Sequence, residues 1–157
     1  MLEIVFGLWA DAGAWPEHGG AGDGALGAPV VGPNGLLDIL ETIRGLGGPR
    51  QPNVVRIAAF QAALEAVGAT ERFWSRSLAV DGWATARTLL RWRDELVDAG
   101  WQADQEWRSP RLADLAAASA AASALSPSTA DRTMALIADL EARPALPIRR
   151  IRLIDAR

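Results

Sequence analysis

The sequence predicts an α/β fold in which helix predominates, on three observations. Residues Leu2 to Trp9 alternate: Leu2, Ile4, Phe6 and Leu8 point one way and Glu3, Val5, Gly7 and Trp9 the other, which is the period of a strand. From about Asn53 to Arg143 apolar residues recur at helical spacing. Residues Ile148 to Ile154 return to alternation, with Ile151 and Leu153 on one face and Arg150 and Arg152 on the other.

In chain order, residues 10–28 carry six glycines and no periodicity, which predicts a long loop. A short strand at Val30-Val31 leads through Gly32-Pro33-Asn34-Gly35 into a helix over about Leu36 to Arg44, with Gly45 as its left-handed stop. A second helix begins near Asn53, places Ile57, Phe60, Leu64 and Val67 on one face, and ends at Gly68. Residues Thr70 to Val80 read as a packed connector containing Phe73, Trp74 and Leu78. The best-defined helix runs from about Gly82 to Ala99, with Asp81 as N-cap, Gly100 as stop and Trp101 folded back over the end. Its apolar arc is predicted to hold Trp83, Ala86, Leu89, Leu90, Leu96 and Val97, and Arg87, Arg91, Asp94, Glu95 and Asp98 lie opposite. Arg93 falls inside the apolar arc and therefore needs a carboxylate or carbonyl partner, or must snorkel outward. Ser109-Pro110 starts an alanine-rich helix to about Ala124. Ser126-Pro127 precedes another, capped at Ser128 or Thr129, with Met134, Ile137 and Leu140 as its stripe.

Composition excludes several chemistries. All 16 basic residues are arginine, so a Walker lysine and a Schiff-base lysine are absent. There is no cysteine and one histidine, His18, which removes thiolate chemistry, disulfides and multi-histidine metal sites. The net charge of -3 argues against a strong whole-molecule attraction to nucleic acid. No apolar run approaches the ~20 residues of a membrane helix, and the acidic start at Glu3 does not suit a signal peptide. A cytoplasmic protein with no membrane contact, no metal and no cofactor is expected.

Few motifs carry chemistry. Gly32 to Leu37 stands where a phosphate-binding loop would, between strand and helix, but Leu36 and Leu37 replace the lysine and hydroxyl of a working P-loop. A plain tight turn between strand and helix is the simpler reading, and a degenerate, non-binding P-loop is one version of it. Asp94, Glu95 and Asp98 form a carboxylate group interleaved with Arg87 and Arg91, which favours a neutralised surface over a metal site. Trp83 and Trp101 are expected in the core, and Trp92 and Trp107 at a contact with another domain or partner. Ser75 and Ser77 have no histidine to activate them. Arg149, Arg150 and Arg152 are the candidate nucleic-acid contact, within a basic concentration that also includes Arg143 and Arg157. The alternative is a sheet edge defended by charge, or one that pairs with later sequence.

The string Gly32 to Glu41 with Val55-Arg56-Ile57-Ala58 resembles the opening of bacterial PD-(D/E)XK nuclease family proteins similar to the B subunit of AddAB-type helicase-nucleases. More specific are Arg72 to Leu78, Asp81 to Ala86, Leu89 to Leu96, and Gly100-Trp101. The resemblance covers most of the chain but only the N-terminal part of such proteins. It implies an inactivated, incomplete RecA-like core interrupted by a helical insertion, acting in double-strand break processing. On that division, 1–50 opens the core, 51–145 is the insertion, and 146–157 returns to the sheet and continues in a longer polypeptide. The nuclease motif would lie beyond Arg157, so no catalytic residue carries over. DNA, the remainder of a longer polypeptide and a helicase-nuclease partner subunit are the implied partners. A helical protein-interaction module without enzymatic activity remains the alternative.

Overall fold

The computed structural model describes residues 1–12, 28–68 and 71–154. It is mostly helical, with one small parallel sheet. The chain divides into a sheet unit, Met1–Gly48 with Ala135–Arg157, and a helical unit, Pro49–Met134. The expected glycine loop falls largely outside the described residues.

In the sheet unit, β1 (Leu2–Phe6) lies between β2 (Val30–Val31) and β3 (Ile148–Leu153), all parallel. Ile4 and Val5, on opposite faces of β1, are both buried, as the middle strand of a sheet should be. The first strand stops at Phe6, three residues short of its alternating pattern. The Gly7 amide still donates to Val31 O at 3.0 Å, but the Gly7 carbonyl accepts from Ala10 and opens a 3₁₀ turn over Ala10–Ala12. Helix α1 (Pro33–Arg44) begins three residues before the expected Leu36, with Pro33 in its first turn. It ends as expected at Gly45, φ 69°, where Gly45 and Leu46 donate back to Thr42 O and Glu41 O. In its last turn Arg44 pairs with Asp139 of α6 (Thr129–Ala142) and donates to Arg143 O at 2.7 Å and Ala145 O at 3.0 Å. A cation at this helix end complements the backbone dipole as well.

The helical unit is built from α2 (Asn53–Ala66), α3 (Ser75–Val80), α4 (Gly82–Asp98), α5 (Pro110–Ala121) and the start of α6. Ile57, Phe60 and Leu64 of α2 meet Ala86, Leu89, Leu90 and Val97 of α4 in one core, which Leu115 and Ala118 of α5 complete. The connector before α3 supplies Trp74, one of the most deeply buried side chains at 2% exposure. Helix α4 follows its signals closely. Asp81 accepts from the Ala84 amide at 2.9 Å. Gly100 takes φ 88°, and Trp101 and Gly100 donate to Leu96 O and Val97 O, folding Trp101 into the core. By contrast α2 ends at Val67, φ −90°, without a left-handed glycine at Gly68.

Three side-chain assignments differ from expectation. Trp83 is 40% exposed. At ~100° per residue it sits roughly 60° from the centre of the buried arc, in the first turn, and that centre is held by Ala86, Leu90, Arg93 and Val97. In α6, Met134 packs against the helical core as expected and Leu140 is half-buried, but Ile137 is 43% exposed and Leu136 is buried in its stead. Trp107 is not a free surface ring: it packs on Trp101 at 6.1 Å and donates to Gln102 O at 2.9 Å.

Arg93 finds carboxylate partners for its two terminal nitrogens, while its buried Nε has none among the described residues. Its guanidinium grips Asp131 with two nitrogens, the second at 2.6 Å, and reaches Asp94 at 2.9 Å. Asp94 in turn takes a two-pronged bond from Arg56 at 2.9 and 3.0 Å. Asp131 also closes a reciprocal cap: Ser128 N donates to Asp131 Oδ2 at 2.8 Å, and Asp131 N to Ser128 Oγ at 3.1 Å. Burial opposes ionisation of Asp131, but the Arg93 fork and the Ser128 amide outweigh it and hold the carboxyl below its usual value.

Two outcomes test this packing. Trp74→Ala should lower unfolding free energy by about 3–5 kcal/mol, as large-to-small core changes do, and Trp83→Ala by about 1 kcal/mol; equal denaturation midpoints for the two would refute the face assignment. Asp131→Asn should cost about 3 kcal/mol at neutral pH, the lower end for breaking a buried pair, because Arg93 keeps Asp94. A depressed carboxylate stabilises the fold above its unfolded value of about 3.9 and loses that contribution as pH falls through its folded value. The gap between native protein and variant should therefore narrow below about pH 4 in urea titrations across pH.

Candidate functional site

The three strands run parallel and in step at their C-terminal ends, where Phe6 aligns with Val31 on one side and Leu153 on the other. That edge is where open α/β sheets hold ligands. Here it gathers Gly7, Ile154 and the Gly32–Gly35 turn: Ile154 N donates to Phe6 O at 2.8 Å, and a side chain on Gly7 would meet Ile154 at 3.1 Å. Helix α1 starts from the turn with its free N–H groups facing the edge, the geometry that holds a phosphate elsewhere.

The amides are already taken. Asp11, in the 3₁₀ turn after β1, accepts from Asn34 N at 2.6 Å and from Gly35 N at 3.2 Å. The Asn34 amide, with help from that of Gly35 and against partial desolvation, holds the Asp11 carboxyl below the usual carboxylate range. The carboxylate is thus a built-in anion and the N-terminal cap of α1, supplied from 23 residues away. Gly32 adopts extended backbone, φ −92° and ψ −170°, open to any residue. Its glycine is required by space, since a Cβ there would fall 2.4 Å from Asp11 Cγ and 2.5 Å from Asp11 N.

The candidate nucleic-acid residues lie on β3. Arg150 and Arg152 align with Glu3 and Val5 of β1. Strict alternation would send Arg149 to the other face, beside Ile151. A bulge between the Leu2–Ile148 and Glu3–Arg150 pairs makes Arg149 the extra residue, and it reaches Glu3 at 3.8 Å. The irregularity therefore gathers all three guanidinium groups on the Glu3 face. Arg150 and Arg152 have no carboxylate partner among the described residues, whereas Arg149 is partly neutralised.

The remaining candidates are structural. Asp94 joins the Arg56 and Arg93 network and does not pair with Arg91; Glu95 does so alone, at 3.7 Å on the surface. No three acidic or histidine side chains among the described residues are grouped to hold a metal. Ser75 Oγ accepts from the Arg72 amide at 2.8 Å, which starts α3. His18 lies outside the described residues. No helix among the described residues is long and apolar enough to cross a membrane.

No protein family, curated protein or solved structure matches this chain. The reading of its function rests on its own geometry. Of that geometry, sequence reasoning found the turn and the three arginines but missed Asp11. A lone acid in a glycine-rich stretch carries no local signal for capping a helix more than twenty residues on.

A double-mutant cycle tests the plugged turn. Asp11→Ala and Gly32→Ala should each lower the thermal midpoint, because each removes the carboxylate from the α1 amides. The double variant should be little worse than either single one. Additive losses would show that Gly32 and Asp11 act separately.

Proposed function

We propose that this chain is a non-catalytic scaffold and DNA-contacting part of a DNA-repair, helicase-nuclease-like protein of the kind that processes double-strand breaks. The observation that carries this reading is the Asp11 carboxylate on the Asn34 and Gly35 amides. A motor domain uses the corresponding helix start, with a lysine, to hold nucleotide phosphates. Here a fixed negative charge occupies it and no lysine exists to offset the phosphates. A nucleotide would have to displace a bonded carboxylate and then bind without a cation. That is the chemistry of an inactivated motor which has kept its framework.

Two features support the RecA-like and DNA-contacting parts of the proposal. The sheet is parallel, and β3 joins β1 after the long helical stretch, as an interrupted core requires. The β3 arginines offer three guanidinium forks to phosphate, with Arg150 and Arg152 without a carboxylate partner among the described residues. DNA contact of this kind depends on backbone charge and is indifferent to base sequence.

Fluorescence anisotropy with duplex DNA over a salt series is the test. Log affinity should fall against log salt with a slope between about −1.8, if Arg149 stays with Glu3, and about −2.7, if all three arginines engage phosphate. Replacing Arg149, Arg150 and Arg152 by Ala should abolish the slope, Glu3→Gln should tighten binding, and Mg-ATP should leave the isotherm unchanged. Binding that survives the triple replacement places the contact elsewhere, and binding that responds to Mg-ATP overturns the inactivated-motor reading.

A further inference from the structure

The helical unit presents a surface that the sheet edge and the DNA reading leave unused. Phe73, before α3, is 39% exposed and Trp92, on the outer side of α4, is 45% exposed. Arg111 of α5 extends over the Phe73 ring, its guanidinium carbon 5.9 Å from the centroid. These three residues form a ridge between two cavities. One, of about 380 Å³, is lined from α3 and α4 and backed by Trp74 and Leu89. The other, of about 310 Å³, is lined by Leu96, Leu112 and Leu115. Phe73, Trp92 and Arg111 border both.

Arg111 has no carboxylate partner among the described residues. The nearest acid along α5, Asp114, is engaged by Arg72 at 2.5 Å and by the Phe73 amide at 3.4 Å. Among the described residues a guanidinium without a carboxylate stands between two largely apolar hollows, over the Phe73 ring. Tryptophan and arginine in such settings are the residue types that dominate protein–protein binding energy.

We propose that this pair of cavities docks a short acidic peptide segment of a partner protein, two large apolar side chains filling the hollows and a carboxylate between them pairing with Arg111. Charge selects this occupant over single-stranded nucleic acid, which also favours aromatic rings. Among the residues lining the two cavities Arg111 is the one cation, which suits one carboxylate and not a run of phosphates. The leucine walls of the second cavity offer no partners for the polar edges of a base, and burying those edges unpaired is unfavourable. Aliphatic or aromatic peptide side chains lose nothing there and gain burial.

The experiment uses the full chain and fluorescein-labelled peptides in which one glutamate stands between two leucines at varied spacing, read by anisotropy and by amide NMR shifts. At least one spacing should bind with a dissociation constant on the order of 10–100 μM and shift the signals of Phe73, Trp92 and Arg111. Trp92→Ala and Arg111→Glu should each weaken it about tenfold or more. A peptide with lysine in place of glutamate should bind Arg111→Glu better than it binds the native protein. Both residues are exposed, so unchanged thermal melting is expected to separate lost docking from lost folding. The proposal is overturned if no spacing binds at ~1 mM, if both variants bind as the native protein does, or if a labelled oligothymidine shifts the same signals while the peptides do not.

Discussion

One constraint organises the helical unit: an arginine stands where the buried stripe of α4 would otherwise carry an aliphatic side chain. Arg93 is near the middle of the arc that also holds Ala86, Leu90 and Val97, and its side chain is 14% exposed. A guanidinium so placed loses much of its hydration, and the fold must return the lost interactions. It does so for the two terminal nitrogens, with Asp131 from the first turn of α6 and Asp94 from α4 itself, while Nε is left without a hydrogen-bond partner among the described residues; Asp94 extends the chain of charges to Arg56 of α2. The pairing ties the first turn of α6 to α4 and fixes where α6 starts, because Asp131 is also half of the cap at Ser128. An apolar residue in place of Arg93 would pack against many neighbours, whereas the fork accepts a carboxylate in few geometries. Specificity of arrangement is what such a network contributes, since its net stabilisation is set against a large desolvation cost.

The sheet unit solves a related problem at its C-terminal edge. A helix start leaves several amides without intrahelical partners, and a parallel sheet aims that start at the edge where a ligand would bind. Asp11 answers both demands by capping α1 with a carboxylate from the preceding turn. The space that admits it is the missing side chain of Gly32. The same atoms that would recognise a phosphate thus hold the fold together. This local physics, more than any missing motif, makes a structural role the economical reading of the turn.

The two surfaces left over differ in kind. On β3, Arg150 and Arg152 stand at alternate register positions with Arg149 beside Glu3, a repeated charge of the kind that a phosphate backbone matches. The ridge of Phe73, Trp92 and Arg111 presents a single cation between two apolar hollows, which suits a side-chain pattern. Each surface belongs to one unit, so the two proposed contacts rest on separate residues.

Local rules in the sequence determined most of the secondary structure and its ends. Asp81 as cap, Gly45 and Gly100 as left-handed stops, and the buried Leu89, Leu90 and Val97 all follow from interactions within about four residues, so the chain displays them directly. The need of Arg93 for a partner was legible for the same reason, as a charge at an apolar position. The identity of that partner was not, because Asp131 lies 38 residues away. Tertiary structure alone decided that, of the aromatic rings expected to pack, Trp74 is buried while Phe73 and Trp83 stay exposed: all are large and apolar, and which one neighbouring elements cover depends on where those elements run. It likewise decided that Arg149 joins Arg150 and Arg152, because alternation predicts the opposite face and only the pairing of β3 with β1 introduces the bulge. Asp11 is the furthest case. Nothing within the 3₁₀ turn marks it as a cap, and it becomes one only when the parallel sheet brings the end of β1 beside the start of α1. Periodicity and capping are short-range and so are written in the sequence. The choice among equivalent charges and aromatic rings is made by long-range contact, which the fold alone supplies.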